Sequence, residues 1–199
     1  MSGMSLADYV WGDSKNDFTG FYGTAAGVNN PMVTDSATGK RKLPTQADVD
    51  AAEKPEDKIK LLTQMVDVVN IQADAAMTTG RADAIASMTQ SAKDALASLN
   101  KVVDGLKSKD GSVADGKADP ALKNYQTAIS GALGSLRTAM DKIGALTSRT
   151  DSDTASQVAS DLGAMDDQAG KLATTAGGTW RRSGSSFRSD PTKLVDILV

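Results

Sequence analysis

Residues 56–108 read EDKIKLLTQMVDVVNIQADAAMTTGRADAIASMTQSAKDALASLNKVVDGLKS, fifty-three residues without a proline. One apolar seam runs Ile59, Leu62, Val66, Val69, Ala73, Ala76, Gly80. A second runs Ile85, Met88, Ala92, Ala95, Leu99, Val102, Leu106. Steps that alternate three and four keep side chains on one face of a helix, and a strict seven-residue repeat narrows that face to a coiled-coil seam. Between the seams the rhythm slips at Thr78-Thr79-Gly80. Glycine inside a helix costs about 1 kcal/mol relative to alanine, which argues for a break. The absence of a proline or an Asn-Gly turn argues for one continuous helix with a stutter, the reading favoured here.

The same periodicity extends outward. Ser108 to Ala118 is a loop, and Asp119-Pro120 starts a helix with a cap followed by proline at its first position. Its seam is Leu122, Tyr125, Ile129, Ala132, Leu136, Ala139, Ile143, Leu146. After a polar loop at 148–152, Val158, Leu162, Met165, Ala169, Leu172 and Ala176 mark a last long helix that stops at Gly177-Gly178. Upstream, Thr45 caps a short helix over 46–53, and Pro55 opens the long stretch with Glu56 and Asp57 behind it. A faint repeat at an offset of thirty-seven sets Ala95-Leu96-Ala97-Ser98-Leu99 on Ala132-Leu133-Gly134-Ser135-Leu136. The expected fold is all-α: an elongated antiparallel helical bundle of three long helices, or four if the chain breaks at Gly80.

Around residues 46–178 the composition changes. Residues 1–45 form a loop-rich arm that holds Tyr9, Trp11, Phe18, Phe21 and Tyr22, five of the chain's eight aromatic residues. Lys40-Arg41-Lys42 lies there on an expected turn and reads as a solvated charge run. Residues 179–199 form a basic and apolar tail with Trp180, Arg181, Arg182, Phe187 and Arg188. That tail ends Leu194-Val195-Asp196-Ile197-Leu198-Val199, and such an apolar end costs solubility unless it is covered.

Composition also narrows the chemistry. The 199 residues contain no cysteine and no histidine, which excludes disulfides and thiolate metal sites and removes the usual general base and pH switch. A net charge of −3 argues against a surface devoted to nucleic acid. Ser98-Leu99-Asn100-Lys101 has the form of a Ser-x-x-Lys motif but lies inside the helical stretch without companion motifs, so it reads as helix surface. Asp110, Ser112, Asp115 and Asp119 lack the spacing of an EF-hand loop, and no metal site or cofactor is expected. The N-terminus has no basic segment followed by an apolar one, so no Sec signal peptide is read there, and no apolar run is long enough to cross a bilayer. The expected location is cytoplasmic, or extracellular or virion-borne by a route without that signal.

From these features the chain is expected to be a non-enzymatic structural or assembly protein, a helical subunit of a filament, appendage, virion or secretion apparatus. It would associate with copies of itself through Tyr9, Trp11, Phe18, Phe21, Tyr22, Trp180, Phe187, Leu194, Val195, Ile197, Leu198 and Val199. The alternative is a helical adaptor that binds a partner protein, nucleic acid or anionic lipid through a groove or the 180–188 segment. In that case Arg181, Arg182 and Arg188 would make the anion contacts. Against it stands the plainer expectation that these arginines meet acidic helices of their own chain.

Overall fold

The computed structural model describes residues 31–35, 38–109, 113 and 116–182, and over these the chain is mostly helical. A two-residue hairpin, β1 (Val33–Thr34) with β2 (Arg41–Lys42), precedes the short helix α1 (Gln46–Ala51). Four long helices follow: α2 (Pro55–Thr79), α3 (Ile85–Leu106), α4 (Gln126–Leu146) and α5 (Ser152–Thr175). Single 3-10 segments at Pro120–Tyr125 and Thr147–Arg149 lead into α4 and out of it.

The continuous helix favoured from the sequence is not what forms. α2 stops at Thr79, and Gly80 caps it in the left-handed region with φ 70°. The Gly80 and Arg81 amides both donate to the Ala76 carbonyl, closing the last turn. Thr78 and Thr79 turn their hydroxyls back onto the Asp74 and Ala75 carbonyls one turn earlier. Two residues that bond back to their own helix, followed by one that tolerates positive φ, end the helix without a proline. The rhythm slip is therefore a turn, and α3 doubles back along α2.

The expected seams are buried except at Gly80, which is exposed, and Tyr125, which is half-buried, and α3 shows one shift. On α3 Val103 is fully buried, whereas Val102 and Leu106 are half-buried to one side. An ideal helix drifts against a seven-residue pattern, so after Leu99 the next inward position is four residues on rather than three. Residues 31–45 are also not all loop. Asp35 accepts from the Thr38 and Gly39 amides to close the hairpin turn, and Lys42 on β2 pairs with Asp35 and with Asp48 of α1. The charge run is thus partly tied down. Thr45 caps α1, its amide and hydroxyl both donating to Asp48.

The two helical hairpins, α2–α3 and α4–α5, lie side by side in the same orientation. Ser135 donates to Asp67 and Lys142 to Asp74, so residue numbers on α2 and α4 rise together and these helices run parallel. Lys93 donates to Asp161 in the same sense between α3 and α5. All three pairs are sixty-eight residues apart. α3 and α4 also touch across the short diagonal, while α2 and α5 stand on the long one. The alanines of α3, Ala92 and Ala95, are what let the diagonal close.

At an offset of seventy the buried seams of the two hairpins coincide, and at five of these positions a large residue answers a small one. Leu62 corresponds to Ala132, Val69 to Ala139, Ala73 to Ile143, Ala92 to Leu162 and Leu99 to Ala169. The structural repeat is hairpin on hairpin. The offset of thirty-seven aligns α3 with α4, which run in opposite directions.

Gly80→Ala distinguishes a turn from a helix interior. At a left-handed position a Cβ costs about 1–2 kcal/mol, so the variant's urea midpoint is expected to fall. A rise of stability by about 1 kcal/mol, the gain of replacing an interior glycine, would restore the continuous helix.

Candidate contact surfaces

The tail that leaves α5 is strapped onto the bundle. α5 ends where Gly177 takes φ 79° and the Gly178 amide donates to the Ala173 carbonyl. The positive φ favours glycine there, and a Cβ would lie 2.7 Å from the Gln126 side-chain nitrogen, which would have to move. The chain then turns back along α4 and α5. Trp180 packs on the core and its indole N–H donates to Asp166 at 3.0 Å, above Gly170. Arg182 passes between the helices, with Nε 3.1 Å from Asp141 and Nη1 3.1 Å from Asp166. Arg137 of α4 donates to the Arg181 carbonyl, at 3.4 Å.

This geometry reassigns one residue of the proposed anion contact. Arg182 is turned inward, its side chain only 10% exposed, and its charge is matched by two aspartates of its own chain. Burial raises the Asp141 carboxyl, Arg182 and Arg137 pull it down, and Asp166 pushes it up again. Arg181 is exposed, and Arg188 lies outside the described residues. Trp180 is likewise committed to its own bundle, leaving only part of its surface for a neighbour. Tyr9, Trp11, Phe18, Phe21, Tyr22, Phe187, Leu194, Val195, Ile197, Leu198 and Val199 also lie outside the described residues.

Acidic residues elsewhere are used for structure. Asp119, 5% exposed, accepts from the Ser108 hydroxyl and amide and from the Ala121 amide, which pins both ends of the loop between the hairpins. The Ser108 hydroxyl is the main cause that holds its carboxyl below the usual range. Asp67, 8% exposed, sits in the α2–α4 interface with the Ser135 hydroxyl. Asn70, one turn on, donates to the Ser135 carbonyl. Burial pushes the Asp67 carboxyl up, against the pull of Ser135 and Lys142. Among the described residues no three carboxylates come together in a way that would hold a metal ion.

The surface that the sequence did not reveal is a groove of about 890 Å³ on the outer side of α2 and α3. Its floor is Met65, Val68, Val102 and Leu106, all half-buried. Its lower end is bridged by α1, where Lys58 donates to the Val49 and Asp50 carbonyls and Ser98 to Gln46. The signal was present: Leu61, Met65 and Val68 form a second apolar stripe beside the α2 seam, with steps of four and three. No family model matches this chain, and no curated protein or solved structure resembles it significantly.

Two measurements test these assignments. Arg182→Ala removes the guanidinium and leaves Asp141 and Asp166 facing each other. It is expected to lower unfolding stability by about 1–3 kcal/mol, less than for a fully buried pair because both carboxylates keep contact with water. Asp67→Asn keeps the shape and the Ser135 contact while removing the charge. A carboxyl raised in the fold gives stability that is present below its unfolded pKa, about 3.9, and lost as pH rises through its folded value. The variant is therefore expected to match the parent near pH 3 and exceed it at pH 7, in urea titrations at both pH values.

Proposed function

We propose that this chain is a structural subunit, an elongated antiparallel bundle that acts as a rod and is joined to its neighbours through its terminal segments. The observation that carries the reading is a division of labour among apolar residues. The core of the helical body is filled by Leu, Ile, Val, Met and Ala, and the two aromatics among the described residues, Tyr125 and Trp180, pack against it. Among the described residues Met77 is the one large apolar side chain left exposed. Outside the groove on α2 and α3, the surface of the described residues is polar and has little with which to hold a neighbour. The sequence adds five aromatic residues in 1–30 and an apolar run at 194–199, and aromatic side chains are the usual anchors of protein interfaces.

The adaptor reading loses ground because Arg182 meets Asp141 and Asp166 inside the chain. No helix among the described residues is long and apolar enough to cross a membrane. Nothing in the chemistry of the described surface favours nucleic acid over protein as the thing bound.

Deletion of residues 192–199 is the direct test. The shortened protein is expected to keep its helical circular dichroism and its urea midpoint, and to lose concentration-dependent growth in light scattering. Unchanged assembly after the deletion would remove the C-terminal segment from the proposal.

A further inference from the structure

We propose that Asp67 and Asn70 form a proton-holding pair in the α2–α4 interface, in which a neutral Asp67 carboxyl donates its O–H to the Asn70 side-chain carbonyl while Ser135 holds both to α4. The pair makes the seam between the two hairpins sensitive to pH. It belongs to the helical body and stands whether or not the chain associates with copies of itself.

The starting observation is an acceptor without a donor. Asn70 is 9% exposed, and its Oδ1 is sealed from solvent with no hydrogen-bond partner among the described residues. The other end of the amide is fixed. Its Nδ2 donates to the Ser135 carbonyl at 3.0 Å, and a carbonyl only accepts, so the amide cannot be turned over. An oxygen buried in this way costs stability until a donor reaches it.

Asp67 lies one turn earlier on α2 and meets the same residue, its Oδ1 accepting from the Ser135 hydroxyl at 2.8 Å. Side chains three residues apart on a helix are neighbours. Ionised, Asp67 offers Asn70 a second acceptor and satisfies nothing. Neutral, it offers an O–H from Oδ2. One proton then closes a ring: Ser135 hydroxyl to Asp67, Asp67 to Asn70, and Asn70 back to the Ser135 carbonyl. Hydrogen bonds linked in this way polarise and strengthen one another.

Two further facts choose a proton over a larger cation. Asp67 lines a cleft of about 490 Å³ with Glu56, Lys60 and Ala128, so its carboxyl exchanges protons with water. Asn70 lines neither that cleft nor the groove on α2 and α3. A cation would also stand in the field of Lys142, which acts on Asp67. Burial pushes the Asp67 carboxyl up, the direction that fills the pair.

The charges on the packed elements are otherwise engaged. On α4, Lys142 pairs with Asp74, Asp141 with Arg182, and Arg137 donates to the Arg181 carbonyl. On α3, Lys93 pairs with Asp161 and Asp104 with Lys107, while Asp94 and Lys101 line the groove, which Asp67 does not. On α1, Asp48 pairs with Lys42 and Asp50 lines the groove. On α2 itself, Glu56 and Lys60 share the cleft with Asp67. Because the carboxyl is raised in the fold, the ring is complete below the unfolded pKa and opens as pH rises through the folded value.

The full-length chain, carrying 13C in the side-chain carbonyls of Asp and Asn, is titrated by NMR. With no histidine present, carboxyls are the side chains that titrate between about pH 3 and pH 7. The Asp67 Cγ is expected to titrate above the same carbon in the urea-unfolded chain. The Asn70 Cγ is expected to move downfield with the same midpoint as the proton arrives, as a carbonyl does on gaining a hydrogen bond. Asn70→Ala removes the acceptor and is expected to lower the Asp67 midpoint. Asp67→Asn carries a donor at every pH and is expected to leave the Asn70 Cγ flat. Burial alone would raise Asp67 without involving Asn70. An Asn70 carbon that does not follow Asp67, or an Asp67 midpoint unmoved by Asn70→Ala, therefore overturns the inference. If Asn70→Ala does not fold, the shared midpoint in the parent and its loss in Asp67→Asn decide the matter.

Discussion

The buried contact of Asp67 with Ser135 decides how the two hairpins meet. A carboxylate that is 8% exposed must have a donor, and the Ser135 hydroxyl is the one it has across the α2–α4 interface. Sliding α4 by one turn along α2 would take the Ser135 hydroxyl away from Asp67, and would also part Asn70 from the Ser135 carbonyl. Alanine-rich seams tolerate many registers, because small side chains interlock weakly. A polar pair inside such a seam costs some stability and selects one register. Asp74 with Lys142, and Lys93 with Asp161, repeat the same spacing nearer the surface, where they reinforce the choice at lower cost.

From that register the rest follows. Parallel α2 and α4 cannot be joined by a short turn, so α3 returns along α2 between them. Asp119 closes the loop between α3 and α4 by holding Ser108 and the start of the following 3-10 turn. At the free end of α5, Trp180 and Arg182 fold over the α4–α5 pair. Over the described residues the bundle shows a polar exterior with an apolar groove between α2 and α3.

Much of this was written in local periodicity. The seams of α2, α4 and α5 could be read residue by residue, because burial on one helix face leaves a pattern of threes and fours. The turn at Gly80 was visible as a slip but was weighed the wrong way. The back-bonding of Thr78 and Thr79, which settles it, depends on rotamers rather than on residue type. The parallel pairing of α2 with α4 was not legible, since a single Asp–Ser contact across sixty-eight residues leaves no periodic trace. The groove was half legible. Met65 and Val68 stand in a second stripe, but only the shift from Val102 to Val103 on α3 opens a surface beside them. The inward turn of Arg182 follows from Asp141 and Asp166 lying on different helices at one level, which no spacing in the sequence announces.

The central claim is that the helical body is complete in itself and that the terminal segments make the contacts between copies. Multi-angle light scattering of the full-length protein across a hundredfold range of concentration, with negative-stain images of the same samples, measures this most directly. The account predicts masses that grow with concentration into large, regular assemblies. A single species of 20.6 kDa at every concentration would contradict it.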